Sequence, residues 1–406
     1  MKLLLSCLTL FGTLFFLSCK NKSEETKIEL KKGSYAYDSA FLAKYDSSII
    51  ELKDESGSAR LLISPAWQGR VWTSTSTGLE GASYGWINYD LLASGKKKKQ
   101  FNPVGGEERL WLGPEGGQFS VYFAQGDSFN INKWQVPAVI DTLPWKAQSG
   151  SGAQAMFAAE AVFKNYLGTE FSILIERRVR LLRPPETESI LGVKIPQGVQ
   201  AIGYETHNRL ENRSANEWRK DAGLLSIWLL GMMTPTDSTT VIIPFQPVAN
   251  AKDLINTTYF GTIPPERLTI KDSVLFFTCD GRYRSKIGLP PSIAKPMAAS
   301  FDAARNILTV IIFPVNDEGE YVNSKWEIQQ DPYSGDVVNS YNDGPLANGD
   351  QLGPFYELES SSSVKELKRG EALTYIQVTC HFEGDHEGLK ELAKGILGIN
   401  LDELNK

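Results

Sequence analysis

Short stretches rich in β-branched and aromatic residues, each bounded by turn residues, recur along most of this chain. These stretches are residues 49–54, 59–65, 69–77, 119–125, 169–182, 199–212, 224–233, 239–245, 272–279, 307–315, 355–361 and 373–384. Many short strands with few helical patterns and long polar loops are typical of a large antiparallel β-sandwich. The sequence therefore predicts an all-β fold, for which a hydrophobic content of 42% provides an ample core.

Hydrophobic periodicity identifies the faces of two strands and two short helices near the ends of the domain. Apolar residues alternate with other residues in the predicted strands at 169–182 and 373–384. A short helix is predicted over residues 39–45. Helical spacing of leucines predicts a second helix in the tail between His386 and Leu404, which we expect to cover the sandwich.

The N-terminus has the features of a bacterial export signal. A lysine follows the first methionine, and an apolar run then continues as far as Leu17. The run ends at Ser18 and Cys19, and a small residue directly before a cysteine resembles the lipobox of bacterial lipoproteins. We therefore predict that Cys19 carries lipid, because acyl chains hold a protein at a membrane surface without spanning it. Lys20 directly after the cysteine favours the outer membrane of a Gram-negative bacterium.

The same features predict the domain organisation. Residues 1–18 are expected to be the signal peptide and residues 19–33 a charged tether, because that stretch is rich in charges and poor in aromatic residues. Residues 34–406 are expected to form a single β-supersandwich domain. No linker-like stretch and no internal repeat divides them in the sequence.

Composition argues against several classes of function. With 42 Lys and Arg against 48 Asp and Glu, the net charge is −6, which does not favour binding to nucleic acid. Three histidines, with no CxxC or HExxH motif, argue against a zinc site. Cys7 belongs to the signal, so Cys279 and Cys380 remain. The sequence leaves open whether these two form a disulfide or two buried thiols.

The segment from residue 321 to residue 361 is the stretch most typical of a ligand site. It combines aromatic rings with amides and carboxylates, and it contains few aliphatic residues. Rings stack on the C–H faces of sugars, while amides and acids bind hydroxyl groups. Such a long polar segment is more typical of binding than of folding alone. The residues predicted to bind carbohydrate here are Asn323, Trp326, Glu327, Asn342 and Asp343.

A glycine-rich stretch at residues 104–118 is predicted to contribute a second part of the binding site. Its glycines allow the backbone to turn sharply or to approach a ligand, and Glu107, Arg109 and Trp111 lie between them. The guanidinium of Arg109 fits a pair of hydroxyls or a carboxylate. We expect Arg109 and Trp111 to hold a sugar ring. The alternative is a β-turn whose charges pair with one another.

Three cations alternate in residues 280–288. Arg282, Arg284 and Lys286 share one face if this stretch is extended, and together they fit an anionic sugar such as a uronate. The simpler interpretation is a solvated strand face, because runs of charge usually face water.

Two glutamates and two histidines are the candidates for catalysis. Glu357 and Glu359 point to the same side of a predicted strand, roughly 6.5–7 Å apart at the backbone, which is near the low end for the carboxylate pair of an inverting glycosidase. His381 and His207 each lie on a polar strand face, where a histidine can act as a general acid near neutral pH. The alternatives are glutamates on a solvated strand and histidines with a structural role.

A calcium site is an alternative interpretation of the same polar segment. Asn339, Asp343 and Asp350 fall near the ligand positions of an EF-hand loop, but Tyr341 breaks the pattern and no helices are predicted beside it. A helix-loop-helix calcium site is therefore not expected. An irregular oxygen-lined calcium site remains an alternative, and no other cofactor is expected.

Several stretches together resemble a family of bacterial lipoprotein-like proteins of unknown function. These stretches are residues 64–78, 83–92, 102–123, 281–289 and 321–361. More distantly, the order of elements resembles the galactose mutarotase-like β-supersandwich. The features shared with that superfamily are an early strand beginning at Gly69, a Gly-Gly loop leading to Arg109 and Trp111, and a late strand containing Glu357 and Glu359.

That resemblance implies a fold, a ligand class and a chemistry. Members of the superfamily bind sugars on a concave face, and its aldose epimerases use a histidine acid and a late-strand glutamate base to open and close the sugar ring. By position, the glutamate would be Glu357 or Glu359 and the histidine His207 or His381. The paired-histidine motifs of the epimerases are absent from this sequence.

The hypothesis from the sequence is therefore a lipid-anchored envelope protein that binds or acts on carbohydrate in a groove of the β-sandwich. Its partners would be a saccharide and the membrane, with no nucleic acid. The alternative is a non-catalytic glycan-binding or structural envelope lipoprotein.

Overall fold

The computed structural model describes residues 30–405 of the chain. The predicted signal peptide, the predicted lipidation site Cys19 and most of the predicted tether therefore lie outside the described residues. From Lys31 onward the chain forms one compact unit. Within the described part, no helix combines the length and the apolar character needed to cross a membrane.

Strands dominate the described residues, and the helices are short. The strands are β1 (Ile50–Lys53), β2 (Arg60–Ser64), β3 (Arg70–Thr75), β4 (Arg109–Gly113), β5 (Lys146–Ser151), β6 (Gln154–Lys164), β7 (Glu170–Leu182), β8 (Val199–Asn212), β9 (Ser226–Met233), β10 (Thr239–Pro244), β11 (Leu268–Ile270), β12 (Val274–Thr278), β13 (Ser285–Leu289), β14 (Met297–Asp302), β15 (Ile307–Ile312), β16 (Val338–Asn342), β17 (Tyr356–Ser361) and β18 (Ala372–Gly384). The α-helices are α1 (Tyr35–Tyr45), α2 (Tyr89–Ser94), α3 (Pro184–Leu191), α4 (Ala251–Leu254) and α5 (His386–Leu397).

The strands form a large sheet, a medium sheet and a small one. The ten-stranded sheet has the order β11-β12-β10-β14-β15-β18-β8-β7-β6-β5, the five-stranded sheet has the order β13-β16-β17-β9-β4, and the small sheet has the order β1-β2-β3. Neighbouring strands are antiparallel throughout. The prediction of an all-β, antiparallel fold with short helices near both ends of the domain is confirmed.

A shared hydrophobic core joins the five-stranded and the ten-stranded sheets. Leu110, Leu229 and Leu358 of the five-stranded sheet belong to the same buried cluster as Ile175 and Leu210 of the ten-stranded sheet. In a strand, side chains at alternate positions point to opposite faces. The residues between these leucines therefore point to the outer face of the five-stranded sheet, where the candidate site lies.

Helix α5 covers the outer face of the ten-stranded sheet. Asp385 caps its N-terminus by accepting a hydrogen bond from the Gly388 amide at 2.8 Å, and Gly398 ends it in a left-handed conformation with φ of 73°. Leu389 and Leu392 are buried against β15 and β18 in a second apolar cluster. The tail therefore forms the predicted covering helix.

Two differences between the structure and the sequence-based prediction are informative. Residues 119–125 were predicted as a strand, but they form turns, and the aromatic rings of Phe119, Tyr122 and Phe123 are buried in the core from that turn. Conversely, β6 was not predicted because its alanines favour a helix. It pairs along its whole length with β7, and that pairing overrides the local preference.

Candidate functional site

The outer face of the five-stranded sheet carries a cluster of charged and aromatic side chains. Glu357 of β17 lies opposite Tyr341 of β16, which lies opposite Lys286 of β13. Two residues on, Glu359 lies opposite Leu230 of β9, which lies opposite Arg109 of β4. Directly paired residues and residues two apart share a face. Side chains from five strands are thereby brought together.

Arg109 and Glu357 form an ion pair at the centre of this face. The Arg109 Nη2 donates to Glu357 Oε1 at 3.0 Å, and the two side chains are only 5% and 8% exposed. The Arg109 guanidinium also lies 4.7 Å from the centre of the Trp111 ring. Its Nε and Nη1 are buried and have no hydrogen-bond partner among the described residues. Arg109 therefore has two donors to offer a ligand.

Lys286 and Glu359 form a second ion pair beside the first. The Lys286 ammonium donates to Glu359 Oε2 at 2.8 Å, and the Trp228 indole donates to the same oxygen at 3.0 Å. Glu359 is 1% exposed, and its other oxygen, Oε1, has no hydrogen-bond partner within residues 30–405. The pair thus leaves one buried acceptor on the same sheet face as Arg109.

Glu115 brings a third carboxylate from the loop that follows β4. Its amide donates to Ser324 Oγ at 3.1 Å, and the side chain of Trp326 has a lowering influence on the pKa of its carboxyl. The next residue, Gly116, lies so close to the facing loop that an added Cβ would be 2.3 Å from the Lys325 carbonyl oxygen. A glycine is therefore required for the two loops to meet over the sheet.

Burial makes two of these carboxylates titrate near neutral pH. It raises the pKa of Glu357 to about 7, against the lowering influence of Arg109 and with a further rise from Glu359. Burial also raises the pKa of Glu115 to about 7, against the lowering influence of Lys286. Three carboxylates thus face two cations. Groups that are half ionised near neutral pH are suited to both accepting and donating protons.

Aromatic rings flank the charged cluster. Trp326 is partly buried and stacks on Trp134 with ring centres 5.9 Å apart, and Trp134 in turn lies 6.2 Å from Trp111. On the other side, the Arg284 guanidinium lies 3.8 Å from the centre of the exposed Phe260 ring, and its Nε donates to the Tyr341 hydroxyl at 3.2 Å. The rim of the site is therefore a mixture of aromatic and cationic groups.

The structure brings together many of the residues predicted from the sequence. Arg109, Trp111, Lys286, Glu357 and Glu359 share the outer face of the five-stranded sheet. Trp326 and Arg284 lie at its edge, as described above. The glutamate pair is not on a solvated strand face, because both side chains are buried. Nor do the Lys286 and Arg284 side chains form a solvated cationic face.

Glu107 and His381 are placed elsewhere, in the interior of the sandwich. Glu107 Oε1 and His381 Nε2 are 2.7 Å apart, and both side chains are fully buried. Thr309 lies 2.8 Å from the other ring nitrogen, and Tyr84 stacks on the imidazole. The polar face that we predicted for the His381 strand therefore faces the core. This pair is a buried polar contact inside the sandwich, away from the outer face.

Three other predicted residues lie away from the cluster. His207 projects from β8 on the face opposite Thr206 and Asn208, whose side chains are buried in the sandwich. Arg282 precedes β13, is exposed and pairs with Asp237, so the three predicted cations do not share a face. Glu327 is exposed.

Three amide and acid residues of the polar segment have structural contacts. Asn323 bonds within its own loop, accepting at Oδ1 from the Lys325 amide at 3.1 Å. Asn342 is fully buried and accepts from the Gly281 amide at 2.8 Å. Asp343 accepts from the Tyr341 hydroxyl at 2.6 Å and from the Gly353 amide at 3.0 Å. Asp343 therefore lies beyond Tyr341 and has no contact with Glu357.

The two cysteines and the possible metal ligands are also placed by the structure. Cys279 and Cys380 are free, buried thiols, and burial raises the pKa of each. Asn339 and Tyr341 lie in β16 rather than in a loop, which removes the EF-hand geometry. Within residues 30–405 no group of three or more His, Cys, Asp or Glu side chains is arranged to hold a metal ion.

Sequence reasoning did not select Glu115 or Trp228. Glu115 lies in the glycine-rich stretch, but its charge gave no sign that the loop folds over the sheet. Trp228 lies in a strand that is apolar on both sides of it, so it resembled a core residue. Both residues join the site only through the tertiary structure. Strand order places β9, which carries Trp228, between β17 and β4, and the loop after β4 brings Glu115 against the facing loop.

Fold and site together define an all-β protein with a buried carboxylate–cation cluster on the outer face of its smaller main sheet. The chain belongs to a family of unknown function (DUF6786), whose model matches residues 33–406. The chain has no match among curated protein sequences.

Solved structures with a similar fold include galactose mutarotase-like proteins. The Slr1438 protein from Synechocystis sp. PCC 6803 is 14% identical, with a TM-score of 0.48 over 83% of this chain and 96% of that chain. A galactose mutarotase-like protein from Lactobacillus casei is 10% identical, with a TM-score of 0.47 over 82% and 99%. A galactose mutarotase related enzyme from Lactobacillus acidophilus is 8% identical, with a TM-score of 0.44 over 83% and 97%. A likeness this distant says nothing about activity.

Proposed function

We propose that this protein binds a saccharide on the outer face of the five-stranded sheet and performs acid/base chemistry on it. The observation that carries the proposal is the Arg109–Glu357 pair. Its carboxylate has a pKa of about 7, and its guanidinium keeps two buried donors without partners among the described residues. Perturbed pKa values together with unpaired polar groups mark functional sites more often than structural ones.

Glu357 and Glu115 are the proposed proton-transfer groups. Both lie within electrostatic reach of Lys286 and Glu359, and the pKa of each is about 7. At neutral pH one can be ionised while the other is protonated, which provides a base and an acid in the same site. Interconversion of the anomers of a reducing sugar needs this pair. The base takes the anomeric hydroxyl proton, the acid protonates the ring oxygen, and the bond between that oxygen and the anomeric carbon breaks and re-forms.

The same cluster supports a sugar as the ligand. Neighbouring hydroxyls of a sugar both donate and accept, and the site offers free donors on Arg109 and a free acceptor on Glu359. The partly buried ring of Trp326 lies beside Glu115 and provides an apolar surface for the C–H face of the sugar. Ligand sites with a few convergent polar groups on an aromatic wall are common.

Turnover of a panel of reducing hexoses and pentoses, followed by polarimetry or by NMR exchange between anomers, tests the proposal. Glu357→Gln keeps the shape of the side chain and removes its charge, so turnover should fall roughly 10²–10⁴-fold, the range for a general acid or base. Glu205→Gln is the matched control, because Glu205 pairs with Arg178 on the outer face of the other sheet. A wild-type protein that turns over no sugar, or a Glu357→Gln variant with unchanged turnover, would overturn the proposal.

A second candidate function is binding without catalysis. One observation favours it. Glu357 and Glu359 are both paired with cations, and the Arg109 and Glu357 side chains are almost closed to solvent. A binder of this kind would retain most of its sugar affinity after Glu357→Gln and would show no turnover before it. Calorimetric titration of the same sugars separates the two functions.

We also propose that the protein acts at the cell envelope, anchored by lipid on Cys19. Support comes from the sequence alone, through the apolar run that ends at Ser18 and Cys19 and the charged residues that follow. In that setting the substrate would be an extracellular or periplasmic saccharide.

A further inference from the structure

Helices α1 and α2 pack against each other at the start of the domain. The Phe41 ring of α1 meets the Tyr89 ring of α2 edge-on, with ring centres 4.9 Å apart, and Tyr37 lies 5.8 Å from the same ring. The Lys32 ammonium, just before α1, lies 4.5 Å from the centre of the Tyr89 ring. The two helices and the residues beside them therefore form one continuous surface.

This surface carries a concentrated positive charge. Its exposed lysines, which we call the lysine face, are Lys31, Lys32, Lys44, Lys96, Lys97, Lys98 and Lys99. The exposed acid of residues 31–46 and 88–100 is Asp90. The chain that packs on the start of α1 adds Glu80 and Glu51, and Glu51 is paired with Arg60. Seven lysines against Asp90 and Glu80 leave an excess of five positive charges, on a chain whose net charge is −6.

The lysines of this face have no carboxylate partner. None of the seven forms an ion pair within residues 30–405, whereas Lys133, Lys194 and Lys220 on other elements do. Lys97 donates to the Thr142 carbonyl oxygen at 3.0 Å, which holds the side chain and leaves its charge unbalanced. A run of four like charges repels itself, so an anion from outside the chain would relieve that repulsion.

Aromatic rings lie among the lysines. Tyr45 is 40% exposed, its ring centre lies 4.9 Å from that of Phe41, and the Lys44 ammonium lies 5.1 Å from the Tyr45 ring. Tyrosine rings are enriched at the headgroup level of membranes, and long lysine side chains carry their charge outward from an apolar stem. Rings and unpaired lysines together therefore favour a lipid surface over a soluble anion.

The proposed lipid anchor joins the domain at this same face. Twelve peptide units separate Cys19 from Lys31, the first lysine of the face. A chain of that length reaches at most about 40 Å. A lipid on Cys19 would therefore keep the lysine face at a high local concentration beside the membrane, where even weak attraction orients the domain.

We infer that the lysine face docks on a membrane surface that contains anionic lipid headgroups. The orientation of the anchored protein rests on the proposed lipidation of Cys19, whereas the affinity of the lysine face for anionic lipid does not. The lysine run leads into Phe101, whose ring packs against Trp111 with centres 5.3 Å apart. Docking would therefore hold the proposed sugar site next to the headgroups.

The test variant removes the charge of the lysine run by combining Lys96→Gln, Lys97→Gln, Lys98→Gln and Lys99→Gln. All four side chains are exposed, so the core is not disturbed. The matched control combines Lys252→Gln, Lys365→Gln, Lys368→Gln and Lys394→Gln, which are equally exposed lysines on other elements. Both variants lose the same net charge, so a difference between them reports where the charge lies.

The measurement is sedimentation of the chain from Lys20 onward, which lacks the lipidated cysteine, with vesicles of phosphatidylcholine alone or with about 30% phosphatidylglycerol. Wild type should bind the anionic vesicles about tenfold or more tightly than the neutral ones, and raising NaCl from about 0.05 M to about 0.5 M should abolish the difference. Each lysine near an anionic surface strengthens binding about fivefold, so the test variant should bind at least about tenfold more weakly and the control less than about threefold.

Three results would overturn the inference. The first is equal binding of wild type to both kinds of vesicle at low salt. The second is a control variant that loses as much affinity as the test variant, because the lysine face would then have no special part. The third is tighter binding of polygalacturonate than of the anionic vesicles, which would assign the face to an acidic polysaccharide. The assay involves no acyl chain, so its failure is distinct from a failure of the Cys19 anchor.

Discussion

Stability should fall as the pH rises from 5 to 8, and Glu357 should account for a measurable part of that fall. Burial raises the pKa of Glu357 from its ordinary value of 4.5 to about 7 in the folded protein. The folded state therefore binds this proton more tightly than the unfolded chain does. The stabilisation is complete below pH 4.5 and is lost as the pH rises through 7.

The magnitude follows from the two pKa values. With 4.5 in the unfolded chain and about 7 in the folded protein, the contribution of Glu357 falls by about 2.5 kcal/mol between pH 5 and pH 8. In Glu357→Gln that contribution is absent. Glu115 has a pKa raised in the same direction, but it is present in both proteins, so its effect cancels in the comparison.

Urea unfolding at pH 5, 6, 7 and 8 measures the effect, with the free energy of unfolding obtained at each pH. The difference between wild type and Glu357→Gln should change by about 2.5 kcal/mol across this range, whatever the substitution costs at any single pH. Glu205→Gln reports what the same substitution does in a partly exposed ion pair. Parallel curves for wild type and Glu357→Gln would refute the reasoning, because they would mean that Glu357 titrates alike in both states.

Three further substitutions test other parts of the account. Arg177→Met should destabilise the fold by about 3–5 kcal/mol in urea, because it leaves Glu108 buried without its cation, and a loss below about 1 kcal/mol would contradict this. His207→Gln should leave sugar turnover within about twofold of wild type, since its side chain lies on the far face of the ten-stranded sheet; a loss of about tenfold would place His207 in the reaction. Cys19→Ser should move the protein from the membrane fraction to the soluble fraction of cells, and a variant that still sediments with membranes would remove lipidation as the anchor.

Strand positions were predictable where a strand is long and its own residues favour the extended conformation that strand pairing requires. The stretch predicted at residues 199–212 coincides with β8, and the stretch at residues 169–182 differs from β7 by one residue. Both strands are long, and apolar residues alternate in β7. Shorter or alanine-rich strands such as β6 and β16 were not predicted, because their pairing partners, rather than their own residues, hold them extended.

Some members of the candidate site were predictable from the sequence, and its boundaries were not. Arg109 and Glu357 were both selected, but from separate stretches that only strand order brings together. The alternation in β18 correctly placed His381 opposite Phe382, yet alternation does not reveal whether a polar face is covered by another sheet. Here it is covered, so His381 pairs with Glu107 in the interior. Which face of a strand is covered by a second sheet depends on the tertiary structure and cannot be read from the strand's own residues.

The central claim is that Glu357 is a buried carboxyl poised to exchange a proton near neutral pH beside Arg109. The most direct test is the titration of that carboxyl by carbon-detected NMR of protein labelled at the glutamate side-chain carboxyl carbon, with Glu357→Gln used to assign its signal. The account predicts a midpoint near pH 7, as burial and Glu359 outweigh Arg109. A midpoint below about pH 5, where exposed glutamates titrate, would contradict it.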